Sequence, residues 1–339
     1  MKKIVVVGSL NMDLVIHTDW LPRIGETVIG RDFARIPGGK GANQAVAAAR
    51  LGGNVSMIGC VGDDIFGSVL LENLHKNKVD IQNIKVVDNS STGLAMIIVN
   101  NGDNCIILSS GANFEMKAED IESLERFISG FDILITQLEI PMEIVRMTLR
   151  MAKKNGLFVI LNPAPAQNLD DETLRCVDVI VPNETEAEHL TGNPIADDQS
   201  LRDGIRFFHE KGIPHCVITL GSKGVVYGGP DGIVRLPAMT VQTVDTTAAG
   251  DSFVGALAVQ ISQNVEISEA IRFCNMAAAL TVTRHGAQES LPTRAEMEEF
   301  RVEETRFLNH TCMDNHRATK NLYQEKEKKS CEREPSVSC

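Results

Sequence analysis

The run Val244-Asp245-Thr246-Thr247-Ala248-Ala249-Gly250-Asp251-Ser252-Phe253 sets three small residues directly before an aspartate and opens an apolar helical period at Phe253, Leu257 and Ile261. A helix starting over Ala248 to Asp251 leaves its first backbone N–H groups without intrahelical partners, and the macrodipole adds partial positive charge there. Small side chains let an anion approach those groups closely. Asp251 stands where a proton can be taken from an attacking hydroxyl, and the helix dipole is expected to keep it ionised. Donors for the charge on a transferring group, beside a positioned base, are what phosphoryl transfer requires. Read alone, the run fits equally well a helix start with a capping aspartate and a small-residue packing face.

A second stretch, Pro37-Gly38-Gly39-Lys40-Gly41-Ala42-Asn43-Gln44-Ala45-Val46-Ala47-Ala48-Ala49-Arg50-Leu51-Gly52, is another glycine turn opening a small-residue helix. Together with Asp245 to Asp251 it resembles the paired signatures of the ribokinase family of carbohydrate kinases, a resemblance that covers about residues 1–300. It implies a three-layer α/β fold with a central, mostly parallel sheet. A small projecting β-sheet lid, within about residues 14–36 and 92–109, would cover a sugar and pack against a second subunit in a homodimer.

Residue by residue, the resemblance gives Ala248, Ala249 and Gly250 the role of backbone donors to the transferring phosphoryl group and Asp251 that of general base. Asn11, Met12, Asp13, Gly39, Lys40, Gly41, Ala42, Asn43 and Glu139 would bind the sugar. Asn183 lies near the phosphates in Asn183-Glu184-Thr185-Glu186, and Glu186 would help hold Mg²⁺ through its water shell, an ion that keeps waters and needs few carboxylates. Thr219-Leu220-Gly221-Ser222-Lys223-Gly224 would form the ATP loop with Gly250, and Asn275 would lie near the adenine. Asp245, Thr247, Thr281, Arg284, Gly286 and Ser290 match the positions of a monovalent cation site for K⁺. D-ribose, phosphorylated at O5, is the implied substrate. Another small sugar or nucleoside (2-deoxyribose, fructose, adenosine) and a non-catalytic sugar-binding regulator on the same fold stay open.

In isolation these motifs have plainer readings. Asn11 and Asp13 fit a turn, Asn183 to Glu186 an acidic helix start, Gly221 to Gly224 a β-turn, and Asp245 a capping residue. A GxxxxGK[ST] loop is missing, so donor phosphates are not held in the P-loop manner. Ile4 to Val7 runs into Gly8-Ser9-Leu10-Asn11 without the G-x-G-x-x-G fingerprint, and a strand-like run, Leu14 to His17, follows where a dinucleotide fold would begin a helix.

The elements that must position these residues follow from composition and pattern. With 339 residues, 43% hydrophobic but only 4% aromatic, the chain builds an aliphatic core suited to strands buried on both faces. From Glu119 onward helical periods alternate with short apolar runs (Ile133 to Leu138, Phe158 to Leu161, Val177 to Val181, Cys216 to Leu220), the pattern of a parallel sheet with helices on both faces. Ligands then gather at the carboxyl ends of the strands, where Glu139, Asn162, Asn183, Glu186 and Gly221 fall. Thr92 to Ser109 alternates and breaks at Asn100-Asn101-Gly102-Asp103, a hairpin signal. A net charge of −12 argues against nucleic acid as a partner. Eight cysteines without paired spacing, and no apolar run of membrane-span length, point to a cytoplasmic protein with no membrane partner. Residues 301–339 mix charges without an apolar period and read as a disordered or weakly helical tail.

Overall fold

A computed structural model describes residues 1–100 and 103–302 of the chain. The centre of the hairpin turn expected at Asn100 to Asp103 and the expected tail beyond residue 302 lie outside the described residues. Two compact units are present, Met1–Thr293 and Arg294–Cys339. The described part of the second is a helix over residues 294–302, in which Arg294 Nε lies 3.3 Å from Glu298 Oε1.

Within the first unit, nine strands form one sheet: β1 (Lys3–Val7), β4 (Asn54–Gly62), β5 (Asp80–Val87), β8 (Ile133–Thr136), β9 (Phe158–Leu161), β10 (Val179–Ile180), β11 (His215–Thr219), β12 (Val225–Gly229) and β13 (Gly232–Leu236). Their order is β13-β12-β11-β10-β9-β8-β1-β4-β5, and every pair from β11 to β5 is parallel. The last two pairs, β11-β12 and β12-β13, run antiparallel. A smaller sheet of β2 (Asn11–His17), β3 (Arg31–Gly38), β6 (Gly93–Asn100) and β7 (Asp103–Ser109) has the order β3-β2-β6-β7, with β2 and β6 parallel and the outer pairs antiparallel. This is the ribokinase-like α/β arrangement expected above.

The helices are α1 (Lys40–Arg50), α2 (Ile65–Lys76), α3 (Ala118–Ser123), α4 (Glu125–Ile128), α5 (Met142–Lys154), α6 (Asp171–Leu174), α7 (Glu184–Thr191), α8 (Asp198–Glu210), α9 (Ala249–Ser262) and α10 (Ile267–Thr281). Successive strand residues point to opposite faces, so an unbroken apolar run such as Ile4 to Val7, fully buried throughout, belongs to a strand covered on both sides. Val5 and Val7 join one core with Ile121 of α3, Val145 and Leu149 of α5, and Phe208 of α8. On the other side α1, α9 and α10 pack together. A Cβ on Gly255 would fall 2.5 Å from the Ala47 Cβ and 2.8 Å from the Ala48 nitrogen, so α9 crosses α1 nearly at backbone contact.

Candidate active site

At the carboxyl end of β1 the chain turns through Ser9 and Leu10 into β2, and the glycine turn before α1 closes over it. Gly39 has φ +87°, and a Cβ there would lie 2.6 Å from the Asn11 nitrogen. A Cβ on Gly38 would meet the Asp13 carboxylate at 2.3 Å, and one on Gly41 the Ser9 nitrogen at 2.6 Å. Glycine at these positions is therefore a condition of the approach rather than a flexibility. The approach brings Glu139, just beyond β8, within reach: its Oε2 accepts from Ser9 Oγ at 2.6 Å, the Lys40 backbone N–H at 3.2 Å and Asn11 Nδ2 at 3.4 Å. Asn113 fixes the other end of the Asn11 amide, donating to its Oδ1 at 2.8 Å. Met12 and Ala42 are buried beneath this floor, and the Ala42 N–H donates to the Ser9 carbonyl at 2.9 Å.

Asp251, in the first turn of α9, is 6% exposed. Its Oδ2 accepts from Asn43 Nδ2 and its Oδ1 from Gln44 Nε2, each at 2.9 Å. Burial pushes the carboxyl above its ordinary value, against the opposing effects of Lys40, Asn43 and Gln44. Besides the helix dipole, burial therefore acts on Asp251, and Lys40, Asn43 and Gln44 favour its ionised form. Burial, then the Glu139 and Asp251 carboxylates, push Asp13 up to about 7 against the pull of Lys40. Burial would lower Lys40, yet Asp251, Glu139, Glu186 and Asp13 together hold its ammonium above the ordinary value. Glu186 is raised by burial, with the Asn183 N–H and Lys40 opposing. Four carboxylates thus surround one lysine.

The anion turn has the geometry its small residues allow. Ala248 sits at φ +60° as the residue before α9, a strained conformation for a residue with a Cβ, and Ser252 N–H donates back to its carbonyl at 2.8 Å. No atom lies within 4 Å of a Cβ built on Gly250, so that side of the turn is open. The opening faces a cleft of about 560 Å³ lined by Thr219, Gly221, Ser222 and Gly224, by Thr246, Ala249 and Gly250, and by Asn275. Val225, Val241, Phe253, Ala278 and Val282 make much of it apolar, as a stacked base requires. Two residues of the expected loop do not line it. Leu220 is buried under the turn, and Lys223 pairs with Glu184 at 2.9 Å. Asn183 and Glu186 cap α7 reciprocally, with both Glu186 oxygens accepting from Asn183.

Beside the turn, Asp245 Oδ1 accepts from the Thr247 N–H at 2.9 Å and its hydroxyl at 2.6 Å, while Oδ2 accepts from the Gly286 N–H at 3.0 Å. Burial acts upward on Asp245, but these bonds outweigh it and hold the carboxyl below its ordinary value. Thr281 and Ser290 are buried, with hydroxyls donating to the Ala277 and Ala287 carbonyls. The Arg284 N–H donates to the Thr281 carbonyl at 3.2 Å.

The model of the pfkB family of carbohydrate kinases matches residues 1–294. The chain belongs to that family. This kinase is 44% identical to a ribokinase of Haemophilus influenzae over 300 residues, 88% of the chain and 98% of the relative. It is 38% identical to a deoxyribokinase of Salmonella typhi, over 88% of the chain and 98% of the relative. An Arabidopsis thaliana ribokinase, solved in complex with ribose and ATP, superposes with a TM-score of 0.82 at 32% identity, covering 88% of this chain and 98% of that one.

In this kinase Asn43 is bonded to Asp251 while Asn11 and the Lys40 N–H are bonded to Glu139, and of the nucleotide candidates Thr219, Gly221, Ser222, Gly224, Gly250 and Asn275 line the cleft. Ser9, Gln44, Asn113 and Gln137, which orient the candidates, were not singled out in the sequence. An amide carries no sequence signal of its partner. The loop from Ala238 to Thr243 that walls the cleft has no period and no motif to betray it.

Proposed function

We propose that this kinase transfers the γ-phosphoryl group of ATP to O5 of D-ribose, giving D-ribose 5-phosphate. The carrying observation is the meeting of the polar sugar floor with Asp251 at the head of α9, one residue from the open face of Gly250. Asp251 takes the O5 proton as the attack develops, and the N–H groups of Ala248, Ala249 and Gly250 stabilise charge on the transferring group. Asn11, Asp13, Gly39, Lys40, Asn43 and Glu139 hold the sugar hydroxyls, and the cleft holds the nucleotide.

Mg²⁺ fits the charge balance of the site, in which Glu186, Asp251, Asp13 and Glu139 outnumber Lys40. Glu186 would hold it through water, and the ion would neutralise phosphate charge. K⁺ fits the loop pair tied by Asp245, because the carboxyl is held in its ionised form and turn carbonyls keep a second lone pair. Thr247, Thr281, Arg284, Gly286 and Ser290 would complete that site.

The lid sheet presents Phe33, Met96, Ile106, Ile107 and Leu108 as exposed apolar residues, which supports a homodimer formed through it. Among the described residues no helix is long and apolar enough to cross a membrane. The described cysteines are free thiols, which supports a cytoplasmic kinase.

The test is kcat/KM for ribose, 2-deoxyribose, fructose and adenosine under one set of conditions. Ribose is expected to be highest, since a 2-hydroxyl lost from Asp13 leaves a desolvated carboxylate without its partner. The deoxyribokinase relative favours 2-deoxyribose as the second reading, and a higher value for it would replace the first.

A further inference from the structure

Every polar atom of the Gln44 carboxamide has a protein partner. Its Nε2 carries two protons, and these go to Asp251 Oδ1 at 2.9 Å and Asn162 Oδ1 at 3.0 Å. Its Oε1 accepts from Gln137 Nε2 at 2.6 Å. Both glutamines are 0% exposed. An ionised carboxylate only accepts, so Asp251 dictates which end of the Gln44 amide faces it. The opposite end must then accept, and Gln137 supplies that donor. Asn162 is anchored in turn by its Nδ2 to the Val181 carbonyl at 2.9 Å. The amides thus form a chain from the carboxyl ends of β8 and β9 to the carboxylate.

One atom is left over. Gln137 Oε1 has no hydrogen-bond partner, and it lies against Gly8, where a Cβ would fall 2.0 Å from it. An unmet buried acceptor is unfavourable, and leucine or methionine would fill the same volume without it. Packing therefore does not account for a glutamine at this position, whereas delivery of an N–H to Gln44 does.

We propose that Gln44, held in orientation by Gln137 and Asn162, is a positioning residue for the base: it fixes the Asp251 carboxylate and favours its ionised form. The inference rests on Asp251 being the base. Gln44 and Asn43 occupy one lone pair on each oxygen, and the remaining lone pairs are left for the proton. The charged groups around Asp251 are Lys40 from α1, Glu186 from α7 and Asp13 from β2, with Glu139 beside Lys40 and Asp13. None of them is altered by substituting an amide.

The experiment is a ¹³C NMR titration of the Asp251 carboxyl, assigned with Asp251→Asn, in the full-length wild type, Gln44→Met and Gln137→Met, with kcat–pH profiles alongside. Gln44→Met is expected to move the midpoint up by about 1 pH unit and to lower kcat at neutral pH by roughly 10- to 100-fold. KM for ribose stays within a few-fold, and the acid limb of kcat moves with the midpoint. Gln137→Met, which does not touch Asp251, moves both in the same sense by less. An unmoved midpoint in Gln44→Met overturns the proposal, as does a loss of kcat without movement of the acid limb. Should Gln44→Met fail to fold, an unmoved midpoint in Gln137→Met overturns it instead. A wild type that phosphorylates no sugar refutes the kinase reading, while the NMR midpoints still report whether Gln44 controls Asp251.

Discussion

Asn43 Nδ2 donates to Asp251 Oδ2 at 2.9 Å, joining residues 208 positions apart. Each belongs to a small-residue helix that, taken separately, is an unremarkable helix start. The contact makes them one site, because it sets the residue that follows the glycine turn against the residue that follows the anion turn.

Asp251→Asn is expected to lower kcat by roughly 10²-fold or more while ribose affinity changes by a few-fold at most, since a lost proton acceptor acts on the transition state. Single-turnover rates and calorimetric ribose binding on the same preparation separate the two. Turnover near the wild-type value would remove Asp251 from the role of base.

Asp13 gives a pH dependence with a definite sign. Its folded value of about 7 lies above the ordinary 3.8, so between those values the folded chain binds more protons than the unfolded one. The stabilising contribution is full below 3.8 and is lost as the pH rises through about 7. Asp13→Asn is a near match for the neutral acid, so its Tm relative to wild type should be more favourable at pH 8 than at pH 5. Scanning calorimetry at the two pH values checks this, and an equal difference at both contradicts the shift. Wild-type kcat/KM for ribose should also rise across this range as the carboxylate forms, a limb that Asp13→Asn lacks.

How far the sequence leads depends on whether a feature is local. The glycine turn, the anion turn and the Asn183 to Glu186 cap are short-range, and the elements they open were placed within a few residues. Strand β5, the β12-β13 hairpin and helix α10 went unread. Five of the eight residues of β5 are partly buried and three are exposed, which blurs its period, while β12 carries two glycines at its end. Asp251's upward shift was not legible for the same reason: the desolvation comes from residues remote in sequence, whereas the helix dipole is local. The Gln44, Gln137 and Asn162 chain is wholly tertiary.

Replacing K⁺ with Na⁺ or choline at constant ionic strength is expected to lower the rate several-fold. Asp245→Ala should abolish the difference, because it frees the Gly286 and Thr247 N–H groups and unties the loops that flank the anion turn. Equal rates of the wild type in the three salts would show that the loop pair needs no cation.

Two glycines of α9 separate chemistry from packing. Gly255 lies one helical turn after Asp251, as Ala47 and Ala48 lie one turn after Asn43 and Gln44, so close contact at one level sets the contact at the next. Gly255→Ala forces a Cβ to 2.5 Å from the Ala47 Cβ and 2.8 Å from backbone, and moving the helices apart is expected to destabilise by about 1–3 kcal/mol. The same displacement lengthens both hydrogen bonds to Asp251, so activity should fall in parallel. Gly250→Ala meets nothing within 4 Å and lies in the helix, where alanine is better than glycine by about 1 kcal/mol. Its stability should be equal or higher. Its methyl group occupies the open side of the turn, and turnover should drop by roughly tenfold or more as the transferring group loses close approach to the N–H groups. Urea unfolding and steady-state kinetics on the two variants decide the matter, and full activity in Gly250→Ala would show that the phosphoryl group does not approach the turn there.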